Sequence, residues 1–239
     1  MNSPKTIGIL QCFHVAENLR PRFGDLFDLF SNLMRPAEHG LVFRKYDVYD
    51  GVFPAEAGDC QGYLLTGSPW GVYDTDPSIA RLMGFIRECY AQKIPQVGIC
   101  FGHQALAHAL GGRAEKSTRG WGLGVHTFAV NRPMPWMMPP AMEVSLLYSH
   151  QDQVTTLPPG AVHLGGDAFC ENRMFVIDNL VLGIQGHPEF TMEYYTTAKE
   201  AQIEKLEPGF KMKIRGSLKT PMNAEIAGQW MVRFFNAGP

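Results

Sequence analysis

The chain has 239 residues, 45% of them hydrophobic, which suffices for one large domain or two small ones with a sizeable buried core. Its 21 Lys plus Arg against 23 Asp plus Glu leave a formal charge of -2 and no broad positive surface for a phosphate backbone, so nucleic acid is not the expected partner. No apolar run approaches the roughly 20 residues of a membrane-spanning helix, and residues 1–10 lack the tripartite form of a signal peptide, so no membrane association and a cytoplasmic location are expected. In chain order, residues 6–11 form an Ile-rich run that reads as a buried first strand. A helix follows, because Phe23, Leu26, Phe27, Phe30, Leu33 and Met34 recur at three- and four-residue spacing around Asp25, Asp28 and Asn32. Residues 41–48 and 62–66 read as further strands, each ending in turn or polar residues. Asp76-Pro77 opens a helix to about Lys93, with Asp suited to capping and Pro preorganised at the first helical position. Residues 96–99 give a fourth strand. This alternation is that of an open parallel sheet, whose functional loops gather at the carboxyl ends of the strands.

The second half reads differently, with strand-like runs at 122–130, 144–149, 162–164, 174–177 and 181–185 and few helical stretches between them. Asp178-Asn179 between the last two is a hairpin turn. Residues 132–141, rich in Pro and Met around Trp136, are expected to fold against the core in preference to forming a partner-binding patch. Two late helices, 192–205 and 223–236, read as packing elements. The intervening 207–221, rich in Pro, Gly and Lys, reads as a mobile loop or an extension lying over the body. The whole is expected to be a single domain over 1–239, with a core of about 6–205 and a C-terminal extension from 206.

The chemistry is concentrated at Gly98-Ile99-Cys100-Phe101-Gly102-His103-Gln104. A β-type run there meets a helical run with a cysteine at the junction and glycine two residues to either side, the layout of a nucleophile elbow. The turn is sharp enough that side chains at 98 and 102 would crowd it. At a helix N-terminus the macrodipole and unpaired N–H groups favour the thiolate, the nucleophilic form of Cys100. Gly186-His187-Pro188-Glu189 supplies a base. Pro188 biases His187 toward extended geometry, where residues two apart face the same side, so Glu189 can hold the His187 ring. Five cysteines, Cys12, Cys60, Cys89, Cys100 and Cys170, are odd in number and never spaced C-x-x-C, which suggests neither a disulfide framework nor a zinc site. His103 and His108 are poorly spaced for a shared metal, and His14, His39, His126 and His163 show no ligand cluster nearby, so no metal is expected. Gly111-Gly112 reads as a helix C-cap. Without G-x-x-x-x-G-K, no nucleotide site is visible.

G-I-C-F-G-H-Q at 98–104 with G-H-P-E at 186–189 resembles the class I, or triad, glutamine amidotransferases, a likeness that runs over roughly residues 6–200 and includes Thr66-Gly67-Ser68 and Tyr148-Ser149-His150. The resemblance implies a flavodoxin-like α/β fold, an open and mostly parallel sheet flanked by helices, with extra antiparallel strands in the second half. It implies a triad of Cys100, His187 and Glu189 that releases ammonia from glutamine through a γ-glutamyl thioester, with the backbone N–H groups of Gly67 and Phe101 as oxyanion hole. Gln104, Ser149, His150, Gln151 and Asp152 match positions that line the glutamine pocket. No cofactor is implied. Lys116-Ser117 and residues 120–125 resemble the branch similar to the amidotransferase part of GMP synthetase, which includes γ-glutamyl peptidases. With no second catalytic stretch in the sequence, the ammonia acceptor is expected on a separate synthase subunit or to be absent. The expected activity is a glutamine amidotransferase acting on the glutamine γ-amide. The alternatives are a γ-glutamyl peptidase using the same triad and a non-catalytic regulatory or binding subunit, against which the intact triad argues.

Overall fold

Short runs of branched and leucine-rich residues, buried on both faces, build the centre of the molecule. The computed structural model describes residues 4–37 and 40–238; His39, set aside above, lies outside them. In chain order the elements are β1 (Lys5–Leu10), α1 (Arg20–Phe23), α2 (Leu26–Met34), β2 (Leu41–Tyr46), β3 (Gly62–Leu65), α3 (Pro77–Ala91), β4 (Gln96–Ile99), α4 (Phe101–Ala109), β5 (Arg113–Lys116), β6 (Gly122–Val130), β7 (Glu143–His150), β8 (Asp152–Thr156), β9 (Val162–Gly166), β10 (Met174–Ile177), β11 (Val181–Ile184), α5 (Met192–Glu204), α6 (Pro208–Ser217) and α7 (Ala224–Ala237). No helix among the described residues is long and apolar enough to cross a membrane.

Among the described residues the main sheet has nine strands in the order β2-β1-β3-β4-β11-β10-β9-β6-β7. The first five are mutually parallel, and from β11 onward neighbours run antiparallel. Along the parallel half the strand order is that of the flavodoxin-like fold. Side chains alternate between the faces: Ile7, Ile9 and Leu64 pack beneath α2 and α7 with Phe30, Trp230 and Phe234, whereas Leu10, Tyr63 and Leu65 pack beneath α3 and α4 with Leu82, Ile86 and Leu106. A third cluster joins Leu123, Val125 and Leu147 to Phe190 and to Tyr195, Ile203 and Ile214 of α5 and α6.

Local signals fix most boundaries. Asp76 accepts the Ser78 N–H at 2.8 Å and caps α3. α4 closes with Gly111 at φ 94 and the Gly112 N–H bonded to the Ala107 carbonyl at 2.8 Å, the glycine C-cap expected there. Asp178 and Asn179 both have positive φ in the β10–β11 turn. Residues 132–141 fold inward: Trp136 meets Phe234 edge-on at 5.3 Å, and the Trp230 indole N–H donates to the Pro139 carbonyl at 2.8 Å.

The structure corrects four expectations. The helix starting near Phe23 is two helices, because Asp25 accepts the Leu26 N–H at 2.9 Å while Asp28 accepts the Asp25 N–H at 2.8 Å, starting a new helix. Residues 208–217 of the expected loop are α6, whose Ile214 is buried and whose Ser217 hydroxyl accepts the Val125 N–H at 3.1 Å. β5 and β8, absent from the sequence reading, form a separate two-stranded sheet. Their residues are mostly polar, and their buried positions are Ala114, Val154 and Gln153. His14 does meet a cluster: its ring and the carboxylates of Asp47 and Asp50 bring donor atoms within 4.8 Å of one another.

Candidate active site

β4 ends at Ile99 and α4 begins at Phe101, so the turn between them is Cys100 alone, at φ 52 and ψ -103. Few side chains tolerate that region. The surroundings impose it: a Cβ on Gly98 would fall 2.4 Å from the Gly102 backbone, and one on Gly102 would fall 2.4 Å from the Leu65 carbonyl oxygen. Only glycine lets α4 pack this closely on β3 and β4. The Cys100 N–H donates to the Ile184 carbonyl at 2.9 Å, which ties the turn to β11. Its sulfur stands at the first turn of α4, where backbone N–H groups lack helical acceptors.

β11 is the parallel neighbour of β4, with Ile184 opposite Ile99, so the chain leaving β11 passes beside Cys100. The His187 N–H donates to the Leu147 carbonyl of β7 at 2.8 Å, fixing this segment between strands. His187 and Glu189 face the same way, and His187 Nδ1 meets Glu189 Oε1 at 2.8 Å with both residues buried. The imidazole lies flat on Phe190, ring centroids 4.1 Å apart. With Nδ1 taken by Glu189, Nε2 is the nitrogen left for Cys100, whose side chain borders Gly67 together with the ring. Burial disfavours the imidazolium, but the Glu189 carboxylate and the Cys100 sulfur outweigh it and raise His187 to about 10. Gly67 completes the group: a Cβ there would sit 2.9 Å from His187 Cε1 and 3.7 Å from Cys100 Cβ. Thr66 secures this loop, its hydroxyl accepting the Cys12 N–H at 2.9 Å and donating to the Gly67 carbonyl at 3.1 Å.

Two cavities meet at Cys100. One, of about 270 Å³, contains Gln104, Ser149, His150, Gln151 and Asp152 in its walls. Gln104 Nε2 donates to the Asp152 carbonyl at 2.9 Å and to Gln185 Oε1 at 3.2 Å, so it braces this wall. His150 also donates to the Asp152 carbonyl, through Nδ1, and burial pushes its pKa down to about 3, so it is neutral. Lys116, Asp74, Tyr73 and Trp121 line the same cavity, giving it both charge signs. The other cavity, of about 160 Å³, lies on the His187 side and is lined by Phe13, Val15, Phe190, Tyr194 and Lys199. Tyr194 and Lys199 belong to α5, which therefore does more than pack. No sequence pattern marked these walls, which come from separate loops and one helix. A larger space of about 660 Å³, between Trp136 and α7, contains none of the residues around Cys100.

His103 is fully buried and its pKa is pushed down to about 3 by burial. His126 and His163 bond the Leu123 and Glu171 carbonyls.

Residues 41–202 match the family model described as glutamine amidotransferase class-I. The chain is 24% identical to γ-glutamyl peptidase 3 of Arabidopsis thaliana over 93% of this chain and 93% of that one. It is 35% identical to a glutamine-hydrolyzing GMP synthase of Thermomicrobium roseum over 54% of this chain, a match that spans 23% of the synthase. The fold superposes on a crystal structure of a glutamine amidotransferase from Thermotoga maritima with TM-score 0.77 at 21% identity, covering 99% of this chain and 97% of that one. With the family model spanning most of its length, the chain belongs to the class-I glutamine amidotransferases.

Proposed function

We propose that the protein hydrolyses the γ-amide bond of glutamine or of a γ-glutamyl compound through a thioester on Cys100. The observation that carries this reading is Cys100 at a strained strand-to-helix turn, bordering Gly67 together with an imidazole whose Nδ1 is held by Glu189 at 2.8 Å. The Cys100 thiolate attacks the γ-carbonyl carbon, and the N–H groups of Gly67 and Phe101 receive the oxyanion. Protonated His187 gives its proton to the leaving nitrogen as the C–N bond breaks, releasing ammonia or an amine. Neutral His187 then takes a proton from water, whose oxygen attacks the thioester; the C–S bond breaks to release glutamate and regenerate the thiolate. Glu189 keeps the ring oriented throughout. Gln104 and residues 149–152 hold the γ-glutamyl end. In the amidotransferase reading, the ammonia passes to an acceptor on a separate synthase subunit.

A second reading, γ-glutamyl peptidase, is favoured by the cavity on the His187 side. It offers about 160 Å³ beside the proton donor, whereas a water-sized product such as ammonia requires only about 10–15 Å³. A substrate panel tests both readings. Purified protein is assayed for ammonia release from glutamine and glutamate release from γ-glutamyl dipeptides, with Cys100→Ser as control. Dipeptide cleavage by the wild type alone supports the peptidase, and efficient glutamine hydrolysis alone supports the amidotransferase. Activity surviving in Cys100→Ser overturns the mechanism. A Cys100 thiol inert to glutamine-analogue alkylators, with no turnover of either substrate, returns the protein to the binding-subunit alternative.

A further inference from the structure

The leaving nitrogen must receive its proton from the imidazole, so the leaving group lies on the His187 side of Cys100 and the γ-glutamyl moiety on the Gln104 side. The walls on the His187 side are mostly apolar, from Phe13, Val15, Leu26, Phe190 and Tyr194, with one lysine, Lys199, among them. Lys199 has no ion pair and no side-chain hydrogen bond among the described residues, and it is half-buried. Burial holds its pKa below the ordinary lysine range, with the Cys100 sulfur acting in the opposite sense, and Lys199 and Cys100 line the same cavity. Glu189, the carboxylate lining this cavity, meets His187 through Oε1 and forms no ion pair with Lys199. An unpaired ammonium between apolar walls is an unfavourable arrangement for the empty site, and a carboxylate brought in by a ligand relieves it.

We infer that Lys199 binds the carboxylate of the leaving group, so that the amine released is an α-amino acid with an apolar side chain. This rests on the γ-glutamyl hydrolase reading and narrows its substrate class. In an α-amino acid the carboxylate stands one carbon from the nitrogen that His187 protonates, so one small leaving group presents its nitrogen to the imidazole, its charge to Lys199 and its side chain to Phe13, Val15 and Leu26. Lys199 takes no part in bond making. It selects among amines after the other cavity has selected for γ-glutamyl.

The test compares γ-glutamyl-leucine with γ-glutamyl-leucinamide, which differ only in the leaving-group carboxylate, alongside glutamine. The wild type is expected to prefer the acid by about 10- to 100-fold in kcat/KM, carried mainly by KM, the size of one charge-assisted hydrogen bond. Lys199→Met should bring the ratio near one, and Lys199→Arg should restore most of it. A wild-type ratio near one, or an unchanged ratio in Lys199→Met, overturns the assignment while leaving γ-glutamyl hydrolysis intact. Hydrolysis of glutamine with neither leucine compound cleaved also overturns it and returns the protein to the amidotransferase reading. If the wild type turns over none of the three, the hydrolase reading fails, and Lys199 with it.

Discussion

Cys100 occupies a backbone region that costs a non-glycine residue about 1–3 kcal/mol, and its neighbours hold it there through the Ile184 carbonyl and the close approach of Gly98 to Gly102. Beside it, His187 keeps its proton because the opposing charges of Glu189 and Cys100 overcome burial. A raised histidine contributes stability in full below its unfolded value near 6.5 and loses it as pH rises through about 10. Glu189→Gln removes one of the two charges, so the His187 proton should be lost at lower pH. The alkaline limb of kcat/KM should move toward neutrality and kcat should fall about 10²- to 10⁴-fold. An unmoved limb would mean that Glu189 does not hold that proton. At this scale the geometry of the candidate site was legible where spacing sets it: glycines flanking Cys100 at two residues, and His187 and Glu189 two apart around Pro188. Lys199 was not legible. It lies ten residues beyond Glu189 on α5, and only the folding of that helix beside Phe190 brings it to the cavity.

Among the elements, the segment between β1 and α2 gives the His187-side cavity two of its apolar walls, Phe13 and Val15. Asp25 anchors it. One carboxylate oxygen accepts the Val15 N–H at 2.8 Å and caps α2 through Leu26, while the other meets His14 Nδ1 at 2.6 Å. Burial acts against the charge on both partners, yet pairing and hydrogen bonds leave His14 raised and Asp25 lowered. The Asp25 contribution is therefore present above the ordinary carboxylate range and lost in acid. That of His14 is present below about 6.5 and lost as pH rises through its raised value. Asp25→Ala should destabilise the protein by about 1–2 kcal/mol, the usual loss for an N-cap, measured by urea unfolding. It should also raise KM for γ-glutamyl dipeptides more than for glutamine; an equal change in both would separate this segment from the leaving group. The cap was hidden in the sequence because Phe23 and Leu26 keep helical spacing across the break. α6 was hidden for the opposite reason: Pro208 and Gly209 read as loop, although Pro at a first turn and a buried Ile214 serve a short helix well.

For the whole molecule, the parallel half was readable because its strands are continuous apolar runs separated by helical periods. The order of the antiparallel half was not, since β6 lies between β9 and β7 and no local pattern specifies a partner so far along the chain. The two halves are closed on one face by α7, whose Trp230 is fully buried and bonded to Pro139. Trp230→Ala should cost about 3–5 kcal/mol, seen as a fall in Tm of roughly 6–20 °C for a protein of this size. A change within a degree or two would show that α7 packs independently of the sheet. The adjacency of β4 and β11 has a consequence for how such a protein can diversify. Cysteine and histidine are brought together by the hydrogen-bonded spacing of two central strands, whereas Phe13, Val15 and Lys199 come from a peripheral segment and a late helix. The walls around Lys199 can therefore vary in sequence without disturbing the strand spacing that brings Cys100 and His187 side by side.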